Sequence, residues 1–593
     1  MGIIEADRLC YTYPKAARPV LQNLCFSIAP GTVTALLGCS GSGKSTLLLA
    51  LAGIIPEFYG GDWSGRLQVY QAVVTAEEPQ SAEVIEQVAI VLQVPDTQLV
   101  GFRVEETIAF GLENQGMPPV QIRDRIQQVL EELGIAPLRH RLTEALSGGQ
   151  KQACVLAAML ALDTPVIVLD EPTAALDPAG KALVSGIIDR LKQLGKTLVI
   201  SDQSLDWFAP LVDQTLVLDR SGSLMFSGAL SDFLGDRDLV LQSGVPIPPL
   251  TAVAYELQRL GHRVQPWVTL AEARPWLSQQ ISQTSAQRSL TSVRSGADGS
   301  DSSDSFNSSD SVVHCTDLTY TYPGANTPAI AEVSFTANAG RILGIIGQNG
   351  SGKSTAIRHL NGLLKPQRGT VAIAGQSVAR STVAQMAKLV GIAFQNPDLM
   401  LFNETVEQEV FFSFNLSANQ AKNKQRKDQS QDQAELTQQR TQMLALLEQF
   451  NLSQHLQRSP LALSVGEKQL LAILCAMALN PAVLVLDEPT FGMDRSGRQQ
   501  LGRLLRQLQQ QGKAVICIAH DLPLLAEFAD DILVFQSGRV VCTRPTRDLF
   551  ADVELFDHLG IPLPLDIQLA LEFLGFPCLT PAEFADHFRA ATV

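Results

Sequence analysis

The chain carries one set of motifs twice, in the same order. LLGCSGSGKSTL at 36–47 matches IIGQNGSGKSTA at 345–356, and VIVLDEPTAALD at 166–177 matches VLVLDEPTFGMD at 483–494. A repeat with this long a period indicates two copies of one folded unit. At 593 residues the chain also exceeds the size that a single hydrophobic core supports.

Each copy ends in a similar short tail, at 244–261 in the first copy and at 560–575 in the second. We therefore predict a first domain at 1–285 and a second domain at 312–593, each with a small C-terminal extension.

Two polar segments interrupt this pattern. Residues 286–311 are rich in Ser, Asp and Gly and nearly free of apolar side chains, which predicts a flexible linker. The second copy also contains a Gln- and Lys-rich insert at about 417–442. We interpret this insert as a solvated helix or a disordered excursion.

Short apolar runs alternate with longer segments of helical period. Examples of the runs are 32–38, 165–170 and 196–201. This alternation predicts parallel strands joined by crossover helices, and hence an α/β fold.

Charge and cysteine content restrict the class of protein. The formal net charge of −15 argues against a nucleic-acid partner, because such binding requires Lys and Arg to neutralise phosphates. Nine scattered cysteines without a CxxC pair fit a reducing compartment. We find neither a signal-peptide pattern nor an apolar run of about 18–20 residues, so we expect a cytoplasmic location and a membrane role only through a partner.

Each copy has a glycine-rich loop between an apolar strand and a predicted helix. Backbone N–H groups of such a loop bind phosphates, its Lys reaches the β- and γ-phosphates, and its Ser hydroxyl binds Mg²⁺. We therefore predict ATP and Mg²⁺ as ligands of both copies. The predicted loop residues are Gly38, Ser40, Gly41, Gly43, Lys44, Ser45 and Thr46, and Gly347, Asn349, Gly350, Gly352, Lys353, Ser354 and Thr355.

An apolar strand in each copy ends in an Asp-Glu pair. Asp170 and Asp487 are placed to hold Mg²⁺, mainly through water. Glu171 and Glu488 are placed to polarise the attacking water. A pair that merely caps the next helix is the alternative, which a neighbouring phosphate loop disfavours.

Between these motifs stand LSGGQ at 146–150 and LSVGE at 463–467. With them, each half resembles the nucleotide-binding domain of an ABC transporter. The resemblance implies two tandem P-loop NTPase domains, each with a helical subdomain, that pair head to tail within one chain to form two composite ATP sites. The implied signature residues are Ser147, Gly148, Gly149 and Gln150, and Ser464, Gly466 and Glu467.

The resemblance assigns further side chains in pairs. The implied residues are the Q-loop glutamines Gln93 and Gln395, the D-loop aspartates Asp177 and Asp494, and Tyr13 and Tyr322, which would stack on adenine. Packing in the core or on the surface is the alternative for the two tyrosines. The implied Mg²⁺ set is Ser45, Gln93, Asp170, Ser354, Gln395 and Asp487.

One position separates the two halves. The family's switch histidine is present as His520, but its counterpart, 317 positions earlier, is Gln203. An amide can donate a hydrogen bond, but it cannot carry a positive charge or shuttle a proton. The alternative is that the substitution at position 203 has no effect on function. We count both residues as catalytic candidates and expect the two ATP sites to be unequal.

Segments 91–114 and 393–412 contain a Gln-x-Pro-Asp stretch that is similar to the ATPases of energy-coupling factor (ECF) transporters. The segment TFGMD at 490–494 and the two tails are also typical of these ATPases. The resemblance implies a subunit at the inner face of the cell membrane that drives a membrane T component and a substrate-binding S component. The cargo would be a vitamin, a vitamin precursor, or a cobalt or nickel ion.

Two other classes remain open. The ATPase of a conventional ABC transporter differs mainly in the Gln-x-Pro-Asp segment and the tail. A soluble twin-cassette protein that acts on the ribosome is disfavoured by the net charge and by an acidic linker in place of a long basic helical pair.

Overall fold

A computed structural model describes most of the chain. The described residues are 2–76, 81–174, 176–202, 205–288, 311–412 and 429–592. They form two compact units, Met1–Tyr255 with Arg263–Thr269, and Glu256–His262 with Leu270–Val593.

The first half alternates strands with helices. Its strands β1 to β10 are Ile4–Thr12, Leu21–Ile28, Val33–Gly38, Asp62–Val69, Ala72–Val74, Val88–Val91, Val166–Asp170, Thr197–Ser201, Gln214–Leu218 and Leu224–Gly228. Its helices α1 to α10 are Lys44–Leu51, Ser81–Ile85, Val104–Asn114, Pro119–Glu132, Gly148–Ala161, Pro178–Gln193, Leu230–Gly235, Arg237–Ser243, Pro249–Arg259 and Leu270–Arg288.

The second half follows a similar order. Its strands β11 to β20 are Ser311–Tyr320, Ile330–Asn338, Ile342–Ile346, Arg368–Ile373, Gln376–Ser377, Val390–Ala393, Val483–Asp487, Ala514–Ile518, Asp531–Gln536 and Arg539–Pro545. Its helices α11 to α20 are Lys353–Leu360, Val383–Met386, Gln429–Gln449, Val465–Met477, Arg495–Gln510, Leu522–Phe528, Thr546–Phe550, Val553–Leu559, Leu565–Leu574 and Pro581–Thr592.

Each half contains a larger and a smaller sheet. The six-stranded sheets run β10-β9-β3-β8-β7-β6 and β20-β19-β13-β18-β17-β16, and all their strands are parallel except β10 and β20. The four-stranded antiparallel sheets run β2-β1-β4-β5 and β12-β11-β14-β15. This confirms the predicted α/β fold with two tandem domains.

The central strands explain where the site lies. Strands β7 and β17 read VIVLD and VLVLD, and their apolar side chains are buried, as expected for parallel strands covered on both faces. Strands β13, β18 and β17 are neighbours in the sheet. Their carboxyl ends therefore carry the phosphate loop, the predicted switch segment and the acidic pair side by side.

The C-terminal extension of the first half extends past the predicted boundary at 285. Helix α10 ends at Arg288, and Arg274 Nε donates to both carboxylate oxygens of Glu572 at 3.0 Å. The rings of Trp276 and Phe588 lie 6.0 Å apart. Through these contacts residues 270–288 group with the second unit, so the compact units do not divide at the predicted boundary.

The two polar segments are described only in part. Of the predicted linker 286–311, residues 286–288 belong to α10, Ser311 begins β11, and the rest lies outside the described residues. Within the predicted insert, residues 429–442 belong to helix α13 (Gln429–Gln449), and 417–428 lie outside the described residues. Over the described ranges, no helix combines the length and the hydropathy that a membrane span needs.

Candidate functional site

The phosphate loops begin helices α1 and α11. Their N-caps, Gly43 and Gly352, have φ values of 93° and 103°. A Cβ atom on Gly352 would lie 2.7 Å from the Ile330 side chain and 2.9 Å from the Ala329 carbonyl oxygen. Glycine is therefore required at this position both by conformation and by space.

The loop lysines are buried under their own loops. Lys44 Nζ donates to the carbonyl oxygens of Gly38 and Cys39, both at 2.9 Å. Lys353 Nζ donates to the Gly347 carbonyl oxygen at 2.6 Å and to that of residue 348 at 2.9 Å. Each lysine is 7% exposed. The positive charge is thus held within the loop that would surround a phosphate.

The residues present fit a magnesium nucleotide. Ser354 Oγ, next to the loop lysine, donates to Asp487 Oδ2 at 3.4 Å. Hydroxyl and carboxylate oxygens are the ligands that Mg²⁺ prefers, and the N-terminus of α11 favours anions. Ser354 and Asp487 are the side chains that would hold the ion.

Burial alters the acidity of the second Asp-Glu pair. It raises the pKa of Asp487 despite the opposing charge of Lys353. Burial, with a further contribution from the Asp487 charge, raises the pKa of Glu488 to about 8. A carboxylate with a raised pKa accepts a proton more readily, which suits a base that polarises water.

Both glutamates also occupy unusual backbone conformations. Glu171 and Glu488 have φ values of 45° and 49°, in the left-handed region that non-glycine residues seldom adopt. Such strain concentrates at functional sites. The two halves therefore share a backbone feature that the sequence alone did not indicate.

The predicted switch histidine, His520, contacts both the predicted base and the phosphate loop. The His520 backbone N–H donates to Glu488 Oε2 at 3.0 Å. Its ring Nε2 lies 3.2 Å from Asn349 Oδ1 and 3.4 Å from Glu488 Oε1. His520 is thus placed where it can respond to a γ-phosphate and transmit that response to Glu488.

Most of the predicted residues of the second half line one cavity of about 350 Å³, which the signature and D-loop candidates do not reach. This volume is within the range of ligand pockets. The predicted residues that line it are Tyr322, Asn349, Gly350, Gly352, Lys353, Ser354, Thr355, Gln395, Asp487, Glu488 and His520. The aromatic, phosphate-binding, metal-binding and catalytic candidates of this half therefore meet at one place.

In the first half, Gln93 Nε2 donates to Glu171 Oε2 at 2.9 Å, which places the Q-loop amide on the proposed base.

A hydrogen bond of 3.2 Å joins the hydroxyls of Tyr13 and Thr46. The same bond joins Tyr322 to Thr355, so each proposed adenine-stacking ring lies beside its phosphate loop. The predicted switch residue Gln203 lies outside the described residues.

Each signature serine caps a helix, but the two caps differ in charge. Ser147 Oγ accepts from Gln150 N, and the Ser147 N–H donates to the Gln150 amide oxygen at 3.2 Å. In the second half, both Ser464 N–H and Ser464 Oγ donate to Glu467 Oε2, at 2.9 and 2.8 Å. Glu467 thus places a carboxylate where the first half has a neutral amide, and it engages the Ser464 hydroxyl.

The remaining signature glycines and the D-loop aspartates have local packing roles. A Cβ atom on Gly149 would lie 2.5 Å from Gly180 Cα, so helices α5 and α6 touch there. Asp177 and Asp494 cap α6 and α15 by accepting the backbone N–H of the residue three positions later, at 2.8 and 2.9 Å. The parts that these residues would play in catalysis stay predictions.

An ion pair joins the Gln-x-Pro-Asp segment to the signature helix in both halves. Lys151 Nζ lies 2.6 Å from Asp96 Oδ1, and Lys468 Nζ lies 2.8 Å from Asp398 Oδ1. Each lysine directly follows its signature motif. A displacement of the Q-loop segment would therefore pull on the helix that carries the signature serine.

Sequence reasoning missed two residues at the end of β8. Ser201 Oγ donates to Asp170 Oδ1 at 2.6 Å, whereas the second half has Ile518 at the corresponding position. Buried Asp202 accepts from Thr173 Oγ1 at 2.8 Å. The available signal was a Ser-Asp pair that closes an otherwise apolar strand.

We expect Ser201→Ala to weaken Mg²⁺-dependent ATP binding by the first half about tenfold, since an outer hydrogen bond orients a metal-binding carboxylate. Binding is measured in the full chain with Lys353→Ala, which restricts binding to the first half. Ser201→Thr keeps the hydroxyl and should retain affinity. Equal affinity of Ser201→Ala and its parent would contradict this role.

Comparison with known proteins shows the family to which the chain belongs. The profile of the ABC transporter family matches residues 21–174 and 330–491. A Methanosarcina acetivorans protein named "Putative ABC transporter ATP-binding protein" is 31% identical over 573 residues, covering 96% of this chain and 90% of that protein. The Bacillus subtilis "Putative HMP/thiamine import ATP-binding protein YkoD" is 29% identical over 569 residues, covering 95% of each.

A solved structure of the archaeal ribosome recycling factor aABCE1, in complex with the stalk protein aP1, matches with a TM-score of 0.53. It is 18% identical and covers 93% of this chain and 92% of that chain, which shows a likeness of fold alone. The two matched family segments contain both phosphate loops and both Asp-Glu pairs. The chain therefore belongs to the ABC transporter family, as an ATP-binding subunit with ATPase activity.

Proposed function

We propose that this subunit powers an ECF-type importer for a vitamin, a vitamin precursor or a transition-metal ion. It would act at the cytoplasmic face of the membrane, on a T component and an S component. The two cassettes would work together within the one chain. The observation that carries the proposal is a pair of apolar clusters, each defined as the exposed apolar side chains on the segment that follows a Q-loop glutamine.

The chemistry assigned to each half follows from its own side chains. Lys353 would neutralise phosphate charge, Glu488 would orient and polarise the attacking water, and His520 would hold the γ-phosphate and position Glu488. Mg²⁺, bound through Ser354 and Asp487, would neutralise charge on the phosphates. In the first half Lys44, Asp170, Glu171 and Ser45 would take the equivalent parts, without a histidine.

The apolar clusters occupy corresponding positions in the two halves. After Gln93 come Val100 and Phe110, which are 59% and 46% exposed. After Gln395 come Phe402 and Phe412, whose rings lie 5.1 Å apart and which are 68% and 38% exposed. Clustered exposed apolar side chains mark surfaces that bind a partner or a membrane.

These clusters lie on the segments that the ion pairs tie to the signature helices. A partner that binds Phe402 could thus act on the Lys468 end of helix α14 through Asp398. This arrangement supports a partner that is coupled to the ATPase cycle, as a transporter requires. The resemblance of the same segments to ECF ATPases and the import function in the name of the Bacillus subtilis relative support the ECF class.

To test the proposal, the tagged chain is isolated from detergent-solubilised membranes of its own cell, and the co-purifying proteins are identified by mass spectrometry. We expect a T component and a small S component in constant ratio to the ATPase. A conventional permease pair would favour the ordinary ABC transporter, and ribosomal proteins would favour the ribosome-associated class.

A double variant, Val100→Ser with Phe402→Ser, separates docking from catalysis. Loss of both apolar anchors should reduce the recovered membrane proteins about tenfold or more, because such anchors carry much of the energy of an interface. Leu194→Ser, which also removes an exposed apolar side chain, serves as the control. Unchanged recovery with the double variant would show that these clusters are not the docking surface.

A further inference from the structure

The loop that follows the phosphate-loop helix differs between the halves. Gly65 and Gly369 occupy equivalent positions. A Cβ on Gly65 would lie 2.2 Å from the Arg8 carbonyl oxygen, and a Cβ on Gly369 would lie 2.3 Å from the carbonyl oxygen of Asp317, the residue that matches Arg8. Gly65 follows its loop lysine by 21 positions and Gly369 follows by 16. The first half therefore carries five additional residues here.

This longer loop is fixed against the end of β1. The Tyr11 hydroxyl donates to the Gly60 carbonyl oxygen at 2.7 Å. Gly61 has a φ of 100°, and a Cβ there would lie 2.3 Å from the Thr12 carbonyl oxygen. The loop thus packs closely on the residues immediately before Tyr13.

The contact brings a second exposed aromatic ring to Tyr13. The Tyr59 ring centroid lies 6.2 Å from that of Tyr13, at an interplanar angle of 77°, and Tyr59 is 55% exposed. Tyr13 in turn bonds Thr46 of the phosphate-loop helix. An aromatic side chain left half exposed beside a proposed base-stacking ring offers π surface to a planar ligand.

The second half lacks this arrangement. Its shorter loop carries Gln367, whose side chain exchanges two hydrogen bonds of 2.8 Å with the backbone of Thr321. Tyr322 there contacts the ring of Tyr320 at 5.1 Å, just as Tyr13 contacts Tyr11 at 4.9 Å, so this neighbour is common to both halves. The additional ring is therefore a property of the first half.

We propose that Tyr59 is a second base-contacting residue of the first-half nucleotide site, so that a purine on Tyr13 also contacts the Tyr59 ring. This rests on the role proposed for Tyr13. The ligand class is a purine nucleoside triphosphate, and the effect is tighter retention of the base in the half that has Gln203 in place of the switch histidine. The first half would thus hold its nucleotide while the second half turns over.

The test measures binding of ATP and of inorganic tripolyphosphate, which lacks a base, to the full chain with Lys353→Ala. Tyr59→Ala should raise the dissociation constant for ATP about three- to tenfold, the effect of losing one aromatic contact. Its affinity for tripolyphosphate should stay unchanged. Tyr59→Phe, which keeps the ring, and Phe58→Ala, at the exposed neighbouring position, should both match the parent.

Three outcomes would overturn the proposal. ATP affinity could be unaffected by Tyr59→Ala, tripolyphosphate affinity could fall in parallel, or Phe58→Ala could have the same effect, which would indicate altered loop shape. Tyr13→Ala in the same background identifies the failing step. If Tyr13→Ala binds ATP normally, the role assigned to Tyr13 is wrong, and the role of Tyr59 is wrong with it. If Tyr13→Ala weakens ATP binding but Tyr59→Ala does not, only the role of Tyr59 is rejected.

Discussion

Lys353→Ala is expected to reduce steady-state ATP hydrolysis by the full chain about a hundredfold or more, the usual cost of losing a group that stabilises developing charge. Lys44→Ala should impair ATP binding by the first half and leave clearly more residual hydrolysis. The difference arises because Lys353 shares its cavity with Glu488 and His520, whereas the half of Lys44 has Gln203 at the switch position.

Burial makes the lysine difficult to replace. Lys353 is 7% exposed, and its ammonium group, together with the Arg358 guanidinium, opposes the rise in the pKa of Asp487 that burial causes. Removing it takes the positive charge from both the phosphates and the acidic pair. Since several groups depend on this one charge, the loss should appear in turnover as well as in binding.

Turnover is measured as phosphate release at saturating Mg-ATP. Lys388→Ala, which removes an exposed lysine of the same half, should behave as the parent. Equal residual rates for Lys353→Ala and Lys44→Ala would remove the case for unequal sites.

The catalytic elements could be predicted from the sequence because each depends on a short contiguous segment. A glycine-rich loop after an apolar strand determines where phosphate binds, and Asp487 is placed by the five residues of its own strand. Parallel pairing then places β8 between β7 and β3, as the alternating pattern implied. The agreement of two copies strengthened each inference.

The missing parts depend on contacts between distant segments. The hydrogen bond between Ser201 and Asp170 joins two different strands. A buried serine at the end of a strand can bond a carboxylate or simply pack against its neighbours, and the local sequence pattern is the same in both cases. Helix α10 follows the first copy in sequence, yet the Arg274–Glu572 pair connects it to helix α19. Sequence position alone cannot reveal such packing, because surface helices with similar composition can bury alternative faces.

The sequence already shows that the halves differ at Gln203, and the structure adds three further differences in side-chain contacts. The first half orders Asp170 through Ser201, where the second half has Ile518. The second half has the acidic signature residue Glu467 bonded to its serine. The additional aromatic loop with Tyr59 belongs to the first half. Each difference would act on nucleotide retention or hydrolysis in one half, which is consistent with a division of labour.

The switch position offers the sharpest test of that division. His520→Gln is expected to lower kcat about a hundredfold, because its ring lies beside the proposed base and a positioned acid–base side chain commonly contributes this much. Gln203→His should raise kcat several-fold at most, while ATP affinity changes little in either variant. The exposed His558→Gln provides a matched control for loss of a histidine.

The double variant, His520→Gln with Gln203→His, determines whether the histidine or its surroundings governs the rate. In the second half the ring lies 3.4 Å from Glu488 Oε1 and 3.2 Å from Asn349 Oδ1, and Glu488 has a pKa of about 8 because of burial. The acidic pair of the first half has different partners, since Asp170 is bonded by Ser201 and Glu171 by Gln93. We therefore expect the double variant to recover only a small part of the lost kcat, measured in the reconstituted transporter. If His520→Gln alone is as active as its parent, the switch role of His520 is wrong, and the inequality of the two sites must be abandoned with it.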